Sequence, residues 1–221
     1  MAVTAAAAGR TAILIDDFNS GDYSIVASNS VKKVEAVRAG SMIGGQRDVL
    51  LEHLNGPLTV SSIVMGGLSV SFFNSDSQTR GRLTVQYDGF DGELETDLVQ
   101  TNGMGLNHNF SNEYAIYLMF PFVNASMGQD VSVTARLITN TGTLSLTKLV
   151  GQGYNKLLTM PLSSFTGVGN LTNVRRIEFV FSGPPSADFT LDRIATNVPG
   201  PAALLPFLAG AMGLARRRRT R

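Results

Sequence analysis

Between residues 12 and 195 apolar side chains recur in short runs, many of them at every second position, and the runs are cut by Gly, Asn, Asp and Pro. In 82–87 the residues Leu83, Val85 and Tyr87 fall on one side and Thr84 and Gln86 on the other. In 176–181 Ile177, Phe179 and Phe181 do the same. A period of two places such residues on the dry side of a sheet whose other side meets water. The same reading predicts strands at 12–15, 23–27, 48–54, 58–65, 68–73, 131–138, 144–150, 156–160 and 189–195. Residues 114–120 are apolar on both parities and predict a central strand. The stretch 31–38 is ambiguous, because Val31, Val34 and Val37 sit at helical spacing in a short, valine-rich run. Turns are expected at Asn19-Ser20-Gly21-Asp22, Asn55-Gly56-Pro57, Gly66-Gly67 and Asn140-Thr141-Gly142, whose residues supply the backbone angles that tight turns demand. About a dozen short strands at regular spacing, with almost no helical period, indicate an all-β fold: an antiparallel β-sandwich of jelly-roll type. No fixed-period repeat is visible, which disfavours a solenoid or propeller.

The alternation ends at Val198-Pro199-Gly200-Pro201. Proline donates no backbone hydrogen bond and restricts the residue before it, so the folded domain is expected to stop there. Residues 202–215 carry no charge, and five arginines follow, Arg216, Arg217, Arg218, Arg219 and Arg221. A helix over the apolar run reaches about 21 Å, short of a hydrocarbon core of roughly 30 Å, so spanning requires a thinned bilayer or the flanking residues. The arginines favour the cytoplasmic side and anionic headgroups, which leaves residues 1–197 outside. Proline-x-proline, a short apolar helix and a terminal arginine cluster resemble the PEP-CTERM sorting tail of Gram-negative surface proteins. The resemblance implies a C-terminal transmembrane sorting helix that holds an exported protein in the inner membrane until an exosortase processes it. Val198, Pro199 and Pro201 fit that family's opening motif, whereas Gly200 stands where its glutamate usually is.

Setting the tail arginines aside leaves 13 basic against 17 acidic residues, so the body is near −4 and offers no footprint for nucleic acid. Cysteine is absent, which excludes disulfides and thiolate metal sites. The length suits one domain with a sizeable core, and the expected division is 1–11, 12–197 and 198–221. Met1 to Ala8 has no cationic region and too short an apolar run for a signal peptide, although Ala5 to Ala8 resembles the small-residue end of one. Residues 1–11 are therefore expected to be the remnant of a longer export signal or a disordered terminus.

Two end segments carry a second resemblance. Ile15-Asp16-Asp17-Phe18 and Phe189-Thr190-Leu191-Asp192-Arg193-Ile194 are similar to the opening and closing strands of galactose-binding-like and carbohydrate-binding-module sandwiches. The resemblance implies terminal strands that lie close together and carboxylates that hold a structural calcium, with Asp16, Asp17 and Asp192 as the candidates. The alternative is that these carboxylates cap strands and face solvent. Gly44-Gly45-Gln46-Arg47-Asp48 and Gln86-Tyr87-Asp88-Gly89-Phe90-Asp91-Gly92 resemble a pair of segments of bacterial surface proteins, with no activity attached. Asp88, Asp91, Glu93, Glu95 and Asp97 crowd carboxylates around two glycines, where either a hard cation or only a solvated turn is compatible with the residues. The spacing does not match an EF-hand loop.

His53 and His108, the two histidines of the chain, lie in no recognisable nucleophile or metal motif. Gly151-Gln152-Gly153 and Gly167-Val168-Gly169 lack the strand-to-helix context of phosphate loops. The expectation is a non-enzyme: an exported cell-surface or matrix protein, anchored in the inner membrane before processing, with a structural or adhesive role. The alternative is a carbohydrate-binding module for an exopolysaccharide, in which Tyr23, Tyr87, Tyr114 and Tyr154 would stack on sugars, since tryptophan is absent. A glycoside-acting enzyme is the reading of another class.

Overall fold

The alternating stretches form strands, and a computed structural model describes residues 12–29, 32–38, 40–65, 70–75, 78–89, 105–125 and 128–197. In chain order the first strands are β1 (Leu14–Asp16), β2 (Tyr23–Ala27), β3 (Lys32–Arg38), β4 (Gln46–Asn55) and β5 (Val60–Met65). They are followed by β6 (Val70–Ser75), β7 (Arg80–Tyr87), β8 (Ala115–Asn124), β9 (Val131–Thr139) and β10 (Gly142–Val150). The last are β11 (Gly153–Pro161), β12 (Thr166–Gly167), β13 (Val174–Ser182), β14 (Asp188–Leu191) and β15 (Arg193–Thr196). Within the ambiguous stretch 31–38, Lys32–Arg38 form strand β3, which pairs along the edge of β4 with Val34 opposite Leu50 and Val37 opposite Arg47.

The strands make an antiparallel sandwich. One sheet runs β12-β10-β9-β13-β7-β4-β3. The other is organised on β8, which pairs with β11 along one side and with both β14 and β15 along the other. From β14 the sheet continues through β6 and β5 to β2, and from β15 it ends at β1. The expected strand 189–195 is thus two strands that share β8, with Asp192 between them donating its N–H to the Met119 carbonyl.

Beside that break lies Pro121, which cannot donate to a ladder. Ile116, Leu118 and Phe120 face inward before it and Val123 after it, so the buried parity of β8 shifts by one residue there. The registers Tyr154 to Phe122 and Lys156 to Phe120 leave Asn155 of β11 opposite the proline, with a positive φ of 49°.

The interior between the sheets is filled by the inward side chains. Phe189 stacks on Phe73 with ring centroids 5.1 Å apart, and Phe120 meets it edge-on at 5.9 Å. Phe181 crosses from the opposite sheet to within 5.1 Å of Phe189. Fully burying side chains of this size contributes roughly 1.5–3 kcal/mol each. The first and last strands pair directly, Leu14 opposite Ala195, as the second resemblance implies. Residues 1–11 and the sorting-tail residues 198–221 lie outside the described residues. Among the described residues no helix is long and apolar enough to cross a membrane.

Candidate functional site

The motifs singled out in the sequence converge on one buried ion pair. Arg47 points into the sandwich with Val49 and Leu51, and it is fully buried, as is Asp16. Its Nε donates to Asp16 Oδ2 at 2.7 Å and its Nη2 to Asp16 Oδ1 at 3.3 Å. The Ser20 carbonyl accepts from Nη2 at 3.0 Å, and the guanidinium lies 4.8 Å from the Phe18 ring centroid. Tyr87 donates its hydroxyl to Asp16 Oδ2 at 2.8 Å, and the Phe18 N–H donates to Oδ1 at 2.8 Å. That last bond holds Phe18 at a positive φ of 52°. Burial pushes the Asp16 carboxyl above its ordinary 3.8, against the pull of Arg47. Burial also pushes the Tyr87 phenol well up, and the Asp16 charge adds to it.

Ile15-Asp16-Asp17-Phe18, Gly44 to Asp48 and Gln86 to Gly89 are therefore three parts of one structural knot. The alternate residues of the last two segments form its outer side. Gln46 Nε2 donates to Asp48 Oδ1 at 3.0 Å, Gln86 Nε2 donates to Asp88 Oδ2 at 2.7 Å, and Asp48 stands opposite Gln86. Gly44 has a φ of 76°, and a Cβ there would come within 2.8 Å of the Gly89 Cα, so the segments also touch at their glycines.

Of the three calcium candidates, Asp16 has both oxygens engaged by Arg47, Tyr87 and Phe18. Asp17 accepts the Asn19 N–H at 3.0 Å. Asp192 is raised from 3.8 by burial, drawn down by Arg193 and raised again by the charge of Asp17, so those two carboxylates are neighbours. Among the described residues no three His, Cys, Asp or Glu form a group able to hold a metal. Asp88 is buried in the knot, and Asp91, Glu93, Glu95 and Asp97 lie outside the described residues. His53 is buried on β4, and His108 packs edge-on against Phe110 at 5.0 Å.

The open chemistry is on the outer face of the β8 sheet. Antiparallel register lines up Tyr154, Phe122, Thr190, the Phe72 position and Ile63 across β11, β8, β14, β6 and β5. Five strands give the row a length of about 19 Å at the usual strand spacing. Tyr154 is 74% exposed, and its ring lies 5.4 Å from that of Phe122. Two residues along each strand, about 7 Å away, runs a second row. It holds Asn124, Asp188, the Asn74 position and Ser61. Gln152 extends it by donating to Asn124 Oδ1 at 3.3 Å.

Between Phe122 and β5 the face dips into a hollow of about 510 Å³. Ile63, Met65, Phe73, Phe122 and Phe189 give it an apolar lining, and Ser61, Asp188 and Thr190 are its polar members. The Thr190 hydroxyl is buried there without a hydrogen-bond partner. Asp188 is held in place by the Ser75 N–H, which donates to its Oδ1 at 3.2 Å.

Tyr23 and Tyr87, named as sugar-stacking residues, are buried, and Tyr23 donates to or accepts from Ser62 at 2.8 Å. Tyr154 and Tyr114 are exposed, and Phe122, past Pro121 and so beyond the expected end of its strand, joins Tyr154 on the outer face.

No protein-family model and no curated protein matches the chain. Among solved structures it is similar to the family 11 carbohydrate-binding module of cellulosomal cellulase Lic26A-Cel5E of Clostridium thermocellum, at 15% identity and a TM-score of 0.40, over 84% of this chain and 94% of that one. A carbohydrate-binding module specific for non-crystalline cellulose matches at 12% identity and a TM-score of 0.32, over 66% of this chain and 78% of that one. An arabinose-bound α-L-arabinofuranosidase matches at 15% identity and a TM-score of 0.38, over 84% of this chain but 26% of that one. Likeness at this level carries no argument about ligand; the chain is an all-β sandwich whose structural neighbours include carbohydrate-binding modules.

Proposed function

We propose that the sandwich is a non-catalytic glycan-binding module that grips a saccharide strand across the outer face of the β8 sheet. The observation that carries this reading is the pair of parallel rows. A sugar ring has apolar faces and a rim of hydroxyls, and it needs an aromatic surface with hydrogen-bonding groups set beside it. Tyr154 and Phe122 offer the first, and Asn124, Asp188 and Ser61 offer the second. The unpartnered Thr190 hydroxyl supports it further, since a buried polar atom without a partner costs about 1–3 kcal/mol that a ligand hydroxyl would relieve.

Titration calorimetry of the purified chain against a panel of oligosaccharides tests the reading. Saturable binding to one glycan is expected, and Tyr154→Ala should weaken it at least ten-fold while leaving the unfolding midpoint unchanged. Binding that survives Tyr154→Ala, or silence across the panel, would remove the assignment.

The C-terminal residues favour a further proposal about where this binding takes place. Val198-Pro199-Gly200-Pro201, the uncharged 202–215 and the terminal arginines suit a protein exported, held in the inner membrane and released by an exosortase to the surface or matrix. There, glycan binding would serve an adhesive or structural role towards exopolysaccharide. Fractionation of cells expressing the intact chain and one ending at Val198 tests it: membrane retention of the first alone is expected, and equal solubility of both would overturn it.

A further inference from the structure

Resting on that glycan-binding reading, we infer that the hollow selects a sugar bearing an acetyl group, on nitrogen or on oxygen, over the same sugar without it. Size is the first ground. At about 510 Å³ the hollow falls within the range of pockets that take up a whole small ligand, so a ring edge enters it together with its substituent.

Lining is the second ground. Among the described residues, Ile63 and Met65 of β5, Phe73 of β6, Phe122 of β8 and Phe189 of β14 meet there. A sugar hydroxyl pressed against these side chains gives up its water for no equivalent partner, which is unfavourable. A methyl group gains by the same burial. The wall therefore favours a substituent that ends in a methyl over a bare hydroxyl or amine.

The third ground is Thr190. It lines the hollow, and its Oγ1 is buried without a hydrogen-bond partner. A threonine hydroxyl in that state has a proton to give, and a carbonyl oxygen is an acceptor for it. The register sets Thr190 directly opposite Phe122, and paired residues of neighbouring strands stand about 5 Å apart on the same face. A ring stacked on Phe122 thus carries its substituent to the Thr190 hydroxyl. An acetyl group joins a carbonyl oxygen to a methyl on one carbon, which matches a hydroxyl donor set in an apolar wall.

Titration calorimetry on the purified chain tests this with two matched pairs. One is an N-acetylglucosamine oligomer beside a cello-oligosaccharide of equal length, with the glucosamine oligomer as the amine control. The other is an O-acetylated xylo-oligosaccharide beside its deacetylated form. At least one acetylated member should bind ten-fold or more tightly than its counterpart, and the pair that shows this tells amide from ester. Thr190→Val keeps the shape of the side chain without its hydroxyl. It should cut the preference to less than three-fold and raise the unfolding midpoint, because it removes a buried polar atom that has no partner. Unacetylated oligomers binding as tightly as acetylated ones in both pairs, or a preference that Thr190→Val does not reduce, would overturn the inference and leave the glycan-binding reading intact. Silence with every oligomer would overturn both.

Discussion

A charged residue at an alternate position of a strand normally marks the wet side, and Arg47 breaks that rule because Asp16, Ser20 and Tyr87 are assembled around it. Removing one partner of a buried pair leaves an uncompensated charge and costs about 3–5 kcal/mol. Asp16→Ala should lose that much in chemical denaturation, and by the same amount in calcium and in EDTA, whereas a calcium ligand would show the loss in calcium only. Asp16→Leu combined with Arg47→Met should recover most of it, since an apolar replacement of the whole pair leaves no stranded charge. At Asp192 the sign of the pH effect is the reverse of the usual one for a carboxylate. Its folded-state value lies above 3.8, so between the two values the folded chain holds more protons than the unfolded chain. Its contribution to stability is present at acid pH and is lost as pH rises through the raised value. Asp192→Asn should flatten that slope in unfolding curves recorded at successive pH values. Position 47 was unreadable in the sequence for a physical reason: inward and outward charges look alike until the distant carboxylate that pairs with them is known.

Along the strands, alternation was enough to place almost every element. The stretch 23–27 is strand β2 as expected, and 82–87 and 176–181 lie inside β7 and β13 with the expected residues buried, but Thr84 and Gln86, expected on the wet side, are buried as well, because β7 is a central strand between β13 and β4. What alternation could not carry is a change of parity. The expected strand 114–120 ends before Pro121, yet β8 runs to Asn124, and Asn155, at a positive φ on the neighbouring strand, stands opposite the proline without breaking the register. The two-residue strand β12 is too short for any period to reveal. The aromatic row was hidden by the same change of parity, since Phe122 lies just past Pro121, directly opposite Tyr154. Asn tolerates the left-handed backbone that position 155 adopts, and a β-branched residue does not. Asn155→Val should destabilise by about 1–2 kcal/mol, and Asn155→Gly should change stability by a few tenths. Thermal unfolding of the two variants measures both. In glycan titrations Asn155→Val should also bind less tightly, because the left-handed backbone at 155 sets where its neighbour Tyr154 stands.

For the molecule as a whole, the division of labour is between a dry interior, a knot of buried charge at one place within it, and an outer sheet face left open. The sandwich could be inferred from periodicity alone; the face could not, since it depends on which strands become neighbours. One consequence of the terminal pairing remains. The Thr196 N–H donates to the Ile13 carbonyl at 2.8 Å, and the Ile13 N–H donates to Thr196 Oγ1 at 3.0 Å. Residues 13 and 196 therefore sit side by side, and the described fold is close to a closed loop. A few glycines and serines joining residue 197 to residue 12 should let the chain be reopened at the Thr139–Gly142 hairpin without losing the fold. Such a circular permutant is expected to unfold cooperatively and to keep its glycan affinity, both measurable by calorimetry. By the same geometry, the whole sandwich could be spliced into a surface turn of an unrelated host as a single cassette, entering and leaving through one narrow doorway.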